Sequence, residues 1–238
     1  MSEEVAVETR AGLEERAHRG ELAGAWLRGV RAPGIGLSAC DLSGARLDRA
    51  QLADAELSDA RLDGVQIAEA DLRGARAPGS LWSRVTARDS DLTEIELDRA
   101  ELVRCELGPV AMSRARLRRA ALRHTRFHAA ELYGADFERA VVLRCGFFGY
   151  GDGVASLARA RFDGASLVEV DLAGVNLYAA SFVGALLVRC DLRGAVLAGA
   201  DLRGARLVAC RLEEADTDGA MVTSTRNAQE TGSERLVR

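Results

Sequence analysis

Lysine is absent from this 238-residue chain: all 32 basic residues are arginine, set against 36 acidic ones for a formal net charge of −4. That small acidic excess argues against a general nucleic-acid binder, which would carry a basic surplus. Aromatic residues make up only 5% of the chain, and proline and histidine occur three times each. No run of 18 apolar residues is present and the first residues lack a signal-peptide pattern, so a cytoplasmic location is expected. The ingredients of a catalytic centre are scarce too. His124 and His128 have no paired cysteine or acidic cluster at ligand spacing, and no glycine-rich loop links a strand to a helix. Neither a metal, a cofactor nor an enzymatic activity is expected.

Leucine and alanine are abundant, and they keep a strict beat. From Leu22 to Val222 every fifth residue belongs to one series of 41 positions, of which 26 are Leu and five are Phe. Two places earlier, from Gly20 to Ala220, 23 of 41 positions are Ala and five are Cys. On an α-helix a five-residue step turns each leucine by roughly 140° from the last and scatters the series around the circumference. On a flat strand the same step throws successive leucines onto opposite faces. What remains is a chain whose small residue and leucine both point inward, one pleat apart, before it turns a corner. That is a solenoid of short edges, with coils stacked about 4.8 Å apart and pairing their backbones above and below. The five cysteines, Cys40, Cys105, Cys145, Cys190 and Cys210, all fall in the small inward series and read as reduced core filler, with Cys190 and Cys210 on adjacent coils.

Ala70-Asp71-Leu72-Arg73-Gly74, Ala135-Asp136-Phe137-Glu138-Arg139 and Cys190-Asp191-Leu192-Arg193-Gly194 resemble the A-(D/N)-(L/F)-X-X unit of the pentapeptide repeat family. The resemblance extends over about 200 of the 238 residues. It implies an all-β, right-handed quadrilateral β-helix with four repeats per coil, about ten coils and a length on the order of 48 Å. The family includes quinolone- and toxin-resistance proteins that protect DNA gyrase, some by resembling B-form DNA.

Three segments follow: an N-terminal cap over residues 1–19, the β-helix over 20–222 and a polar, flexible tail over 223–238. Thr9 caps a short helix in which Leu13 and Ala17 share a face and Gly20 ends the run. Trp82 stands at a leucine position with Ser80 and Ser83 beside it, which predicts a bulge or an aromatic plug near 78–90. Asp152 and Tyr150 fall on inward positions within a glycine-rich stretch, so residues 148–154 are expected to protrude, since burying an unpaired carboxylate is costly. If a whole repeat is extruded there, columns before and after it shift by one face.

With coils of 20 residues, outward positions 20 apart stack as columns. One column holds Asp71, Asp91, Glu131, Asp171 and Asp191, and a second holds Phe148, Val168, Val188 and Val208. The acids are either a habit of the corner or a partner surface imitating a polyanion. On the second reading they are candidate contacts, with Phe148 and Tyr150 as a candidate wedge. Val168, Val188 and Val208 are the candidate interface of a homodimer made through the C-terminal coils. Arg114, Arg116, Arg118, Arg119, Arg123 and Arg126, with His124 and His128, girdle one coil, either as a surface offset by neighbouring acids or as an anion site. The leading expectation is a DNA-mimicking rod that binds DNA gyrase or another type II topoisomerase and protects it from a poison, giving antibiotic resistance or self-immunity. The alternative is a scaffolding rod for protein assembly. Direct nucleic-acid or membrane binding is not expected.

Overall fold

The computed structural model describes residues 9–149 and 155–223. Its architecture follows from what one five-residue unit does with its backbone N–H groups. Around Leu42, the N–H of Leu42 donates to Arg61 O (2.9 Å) and that of Gly44 to Asp63 O (2.7 Å), both on the next coil, while Arg46 N–H donates to Ala25 O (2.9 Å) on the previous one. Ala45 N–H closes the corner on Leu42 O (2.9 Å). The remaining donor, Ser43 N–H, is taken by the side chain of Asp41 (2.9 Å). Every donor of the unit is thus satisfied and the chain has turned one corner. Four such corners complete a 20-residue coil.

The corner residue must be left-handed. Gly44 adopts φ 71° there without cost, but Asp54, Arg99 and Arg119 adopt φ 58°, 61° and 57°, a conformation that disfavours residues with a Cβ and that the coils on either side enforce.

Stacking the coils makes four flat walls. Face 1 is an eight-stranded parallel sheet of Arg61–Asp63, Leu81–Ser83, Glu101–Val103, Ala121–Arg123, Val141–Leu143, Ser166–Val168, Leu186–Val188 and Arg206–Val208, neighbouring strands paired in sequence order. The bridge Asp41↔Arg61 adds a ninth rung. Face 2 contains five strands from Gln66–Ala68 to Gly146–Phe148, and bridges from Trp26 to Arg211 bring it to ten rungs. Face 3 contains Ser90–Asp91, Val110–Ala111 and Ala130–Glu131, and face 4 is a ladder of single bridges from Gly36 to Met221. About ten coils were expected, and nine to ten rungs per wall are paired.

The leucine and alanine columns fill the interior, almost all of them inaccessible to solvent. Where phenylalanine replaces leucine on successive coils the rings stack: Phe127 on Phe147 (4.7 Å between centroids), Phe137 on Phe162 (4.8 Å) and Phe162 on Phe182 (4.9 Å). The helix Arg10–Arg19 covers the first coil as its sequence predicts. Thr9 Oγ1 accepts from Gly12 N–H, Leu13 is fully buried, and Gly20 at φ 70° ends the helix. Arg10 fastens it to the coil by donating to Pro33 O (2.7 Å).

Of the two expected irregularities near 78–90, the structure has the plug and not the bulge. Trp82 is 1% exposed, pairs in register with Leu62 and Leu102, and donates its indole N–H to Ser80 Oγ (2.8 Å), which itself donates to Ala77 O. The small Ser80 makes room for the indole and supplies its acceptor.

Residues 150–154, with Tyr150 and Asp152, lie outside the described residues. The register on either side records their effect: pairs are 20 residues apart elsewhere, but Glu131↔Ser156, Asp136↔Arg161, Val141↔Ser166 and Gly146↔Asp171 are 25 apart. One repeat is therefore surplus to the coil, and every column moves by one wall across it.

Candidate partner-binding surfaces

Because the interior is packed with aliphatic side chains, what the molecule can do chemically is set out on its walls. Among the described residues no group of histidine, cysteine and carboxylate side chains could hold a metal ion. One depression of about 240 Å³ lies at the corner between faces 4 and 1, lined by Asp98, Arg99, Arg118, Arg119 and Glu138.

The register shift breaks the five-acid column. Asp71, Asp91 and Glu131 stand on face 3, whereas Asp171 and Asp191 stand on face 2 in line with Gly146. The acids also have a structural task. Asp71, Asp91, Asp171 and Asp191 accept the backbone N–H two residues on, from Arg73 (3.1 Å), Thr93 (2.9 Å), Ala173 (3.1 Å) and Arg193 (3.2 Å). Asparagine does the same at Asn176 for Tyr178 N–H (3.0 Å), as expected of a side chain that satisfies the corner's spare donor.

Arginine neutralises much of what remains. Arg73 lies 2.6 Å from Asp71 and 3.8 Å from Asp91, and Asp191 lies 2.6 Å from Arg193 and 3.5 Å from Arg211. Hydrogen bonds from Arg73 and Arg193 hold the carboxyls of Asp71 and Asp191 below the ordinary aspartate range. The same pairing joins Asp201 to Arg203 (2.6 Å), and the signal for it was in the sequence as Asp-Leu-Arg. Of the five proposed contacts, Asp171 and Glu131 alone have no ion pair among the described residues.

The apolar column changes its membership. Phe148 belongs to face 2, paired with His128 and stacked on its ring at 5.3 Å, with its own ring over Gly146, where a Cβ would meet it at 2.2 Å. Its place below Val168 is taken by Leu143, so that Leu143, Val168, Val188 and Val208 run in register down face 1. Val141 and Leu186 flank them. The stripe therefore lies along the flank of the rod, and pairing at the C-terminal end reaches only its last member, Val208.

The arginine girdle is largely offset by acids. Arg114 bonds Glu94 (3.2 Å), Arg116 bonds Glu96 (2.7 Å) and Asp98 (2.5 Å), Arg118 bonds Asp136 (2.6 Å), and Arg126 and His128 both reach Glu106 (3.3 and 3.1 Å). Face 4 alternates sign along its length, with Arg76 between Glu56 (3.0 Å) and Glu96 (3.6 Å) and Arg161 near Glu138 (3.1 Å). Such a wall presents little net field. Two features escaped sequence reasoning: this ladder, and the exposed Tyr133 and Tyr178 on face 3, with Arg159 over the Tyr133 ring at 5.8 Å.

Comparison with known proteins points the same way as the coil. No curated protein sequence matches the chain. Among solved structures, HetL, a pentapeptide repeat protein involved in heterocyst differentiation regulation from the cyanobacterium Nostoc sp. strain PCC 7120, aligns with a TM-score of 0.43 and 22% identity, covering 92% of this chain and 97% of its own. QnrB1, a plasmid-mediated fluoroquinolone resistance protein, aligns with a TM-score of 0.36 and 18% identity, covering 79% and 92%. Rfr23 from the cyanobacterium Cyanothece 51142 aligns with a TM-score of 0.28 and 24% identity, covering 45% and 64%. The family model for pentapeptide repeats matches in eight copies over residues 37–66, 111–141, 155–194 and 176–213, together half of the chain. With the five-residue unit, its aspartate-satisfied corner and the four-walled coil already established, this protein belongs to the pentapeptide repeat family.

Proposed function

We propose that this chain is a cytoplasmic, non-enzymatic protein-binding rod, and specifically one that occupies a type II topoisomerase in place of duplex DNA and relieves its poisoning by a drug or natural product. The observation that carries the binding reading is the division of the molecule into a dry aliphatic interior and flat outer walls whose side chains repeat at coil spacing. Such walls offer extended contact and no enclosed pocket. Support for the specific partner comes from the family resemblance and the rod shape.

Charge density shapes the mechanism. Duplex DNA carries one charge per about 1.7 Å of axis, while a carboxylate column gives at most one per about 4.8 Å, and Asp71 and Asp191 are already paired with arginine. Any competition for a basic saddle rests on shape first, with Glu131 and Asp171 contributing free charge. The test is supercoiling by gyrase with a poison present, across a titration of this protein. The expected result is relief of poisoning that weakens as salt rises and is lost in the double variant Asp171→Arg, Asp191→Arg. No rescue, no inhibition and no complex at low salt would leave the scaffolding reading in its place.

The proposal includes a homodimer formed at the C-terminal coil, where Leu207, Leu212 and Ala215 are only partly buried. Sedimentation at high micromolar concentration is expected to give twice the chain mass. A monomer there would refute it.

A further inference from the structure

Not all of the arginine girdle is offset by acids. Arg119 and Arg123 have no ion-pair partner among the described residues, and neither have Arg99 and Arg104 on the preceding coil. All four are exposed, and all four belong to one wall. Arg99 and Arg119 occupy the corner leading into face 1, Arg104 the corner leading out of it, and Arg123 the strand Ala121–Arg123 between them. Arg139 and Arg144 continue the two edges by one coil, the first 3.8 Å from Glu138 and the second bonded to Glu169 (2.6 Å). Glu101 is the one acid on the wall itself at this level.

On the following coils the same wall turns apolar. Val141 is 47% exposed and Val208 38%, and between them Leu143, Val168, Leu186 and Val188 are each partly exposed. An exposed aliphatic stripe four coils long on a parallel sheet is unusual for a free surface. Its position beside unpaired arginines makes the wall two-part, cationic towards the middle of the rod and aliphatic towards its C-terminal end.

We propose that face 1 is the docking surface for an amphipathic helix of an acidic partner protein, its apolar stripe on the valines and its carboxylates on the unpaired arginines. The backbone excludes strand addition, because donors on this wall are used along the rod axis, as in Val141 N–H to Ala120 O (2.9 Å) and Arg144 N–H to Val168 O (2.9 Å). A partner therefore meets side chains only. Five coil steps separate the rungs of Glu101 and Arg206, about 24 Å, which a helix of about 16 residues spans. Charge complementarity selects an acidic partner, and the six aliphatic side chains select protein over nucleic acid, whose phosphates and groove edges would leave them uncovered. The inference rests on the binding-rod reading. It stands apart from the topoisomerase reading, whose acids lie on faces 2 and 3.

The probe is a fluorescein-labelled synthetic helix of about 16 residues, with leucines one helical turn apart in one half and glutamates on the same face of the other, titrated with the full chain by anisotropy. Binding is expected, weakening with salt. The double variant Arg119→Glu, Arg123→Glu is expected to weaken it about tenfold or more and to flatten the salt dependence. Val168→Asp with Val188→Asp is expected to abolish it, and unchanged circular dichroism would show both variants folded. Absence of binding at low salt overturns the proposal, as does unchanged binding by either folded double variant. Equal or tighter binding of a duplex DNA of similar length would make the wall a nucleic-acid surface. A wild-type dimer dissolved by Val168→Asp, Val188→Asp would assign it to a second copy of the chain. Both double variants are expected to keep any effect on gyrase, which separates failure here from failure of the topoisomerase reading.

Discussion

Phe162 is the side chain on which the packing account is most exposed to refutation. It is fully buried and stacked between Phe137 at 4.8 Å and Phe182 at 4.9 Å, with interplanar angles of 9° and 5°. Truncation to alanine removes a ring that the hydrogen-bonded walls cannot close around, because coil spacing is fixed by the backbone, and a buried Phe→Ala change costs about 3–5 kcal/mol. Leucine, the commonest residue of the same inward column, keeps most of the buried area and forfeits the two ring contacts, worth about 0.5–1.5 kcal/mol each. Phe162→Leu should therefore lie about 1–3 kcal/mol below wild type, with Phe162→Ala clearly lower still. The assay is guanidinium unfolding followed by circular dichroism, comparing midpoints at constant slope. Since each coil touches only its neighbours, a fall in slope would report separate unfolding of the coils beyond Phe162. If Phe162→Ala unfolds within about 1 kcal/mol of wild type, or if both variants are equally destabilised, the stacked column is not what holds these coils together.

Two further outcomes follow from the titrating groups. Hydrogen bonds from Arg73, Arg193 and Arg203 depress the carboxyls of Asp71, Asp191 and Asp201. A carboxyl depressed in the folded state stabilises the fold above its unfolded pKa of about 3.9, and that contribution disappears as pH falls through the folded value. The denaturation midpoint should be level from neutrality down to about pH 5 and fall below about pH 4; a midpoint that rises on acidification would contradict the pairing. Among the thiols, burial pushes Cys105 and Cys145 up to about 11, whereas a hydrogen bond from Cys190 lowers Cys210, which is also half-exposed. Iodoacetamide at mildly alkaline pH should label Cys210 ahead of Cys105 and Cys145, read by peptide mass spectrometry, and labelling of Cys105 in the folded rod would refute the burial.

The period of five determined the fold by itself, because a helix scatters such a series and a flat strand alternates it, while a cornered coil buries it. Local chemistry was equally legible at the N-terminus, where Thr9, Leu13 and Gly20 each do what their residue type dictates. Trp82 was legible as an anomaly but not in its outcome: only the structure showed that Ser80 supplies both the space and the acceptor for its indole. The surface was less transparent. Asp71 and Asp191 read as a charged column when their positions are counted, yet both serve the corner's spare N–H and pair with arginines two residues on, a local geometry that spacing does not reveal.

Which columns share a wall depended on one repeat that the coil does not count. The five-residue frame runs unbroken through residues 150–154, so sequence periodicity treats both sides as one register. Hydrogen bonding between coils, offset by 25 there instead of 20, moves Asp171 and Asp191 onto face 2 and sets Leu143 beneath Val168. The sequence determined what points in and what points out, because that is a property of each unit. Tertiary structure alone decided which outward residues are neighbours, because that is a property of how one coil lands on the next.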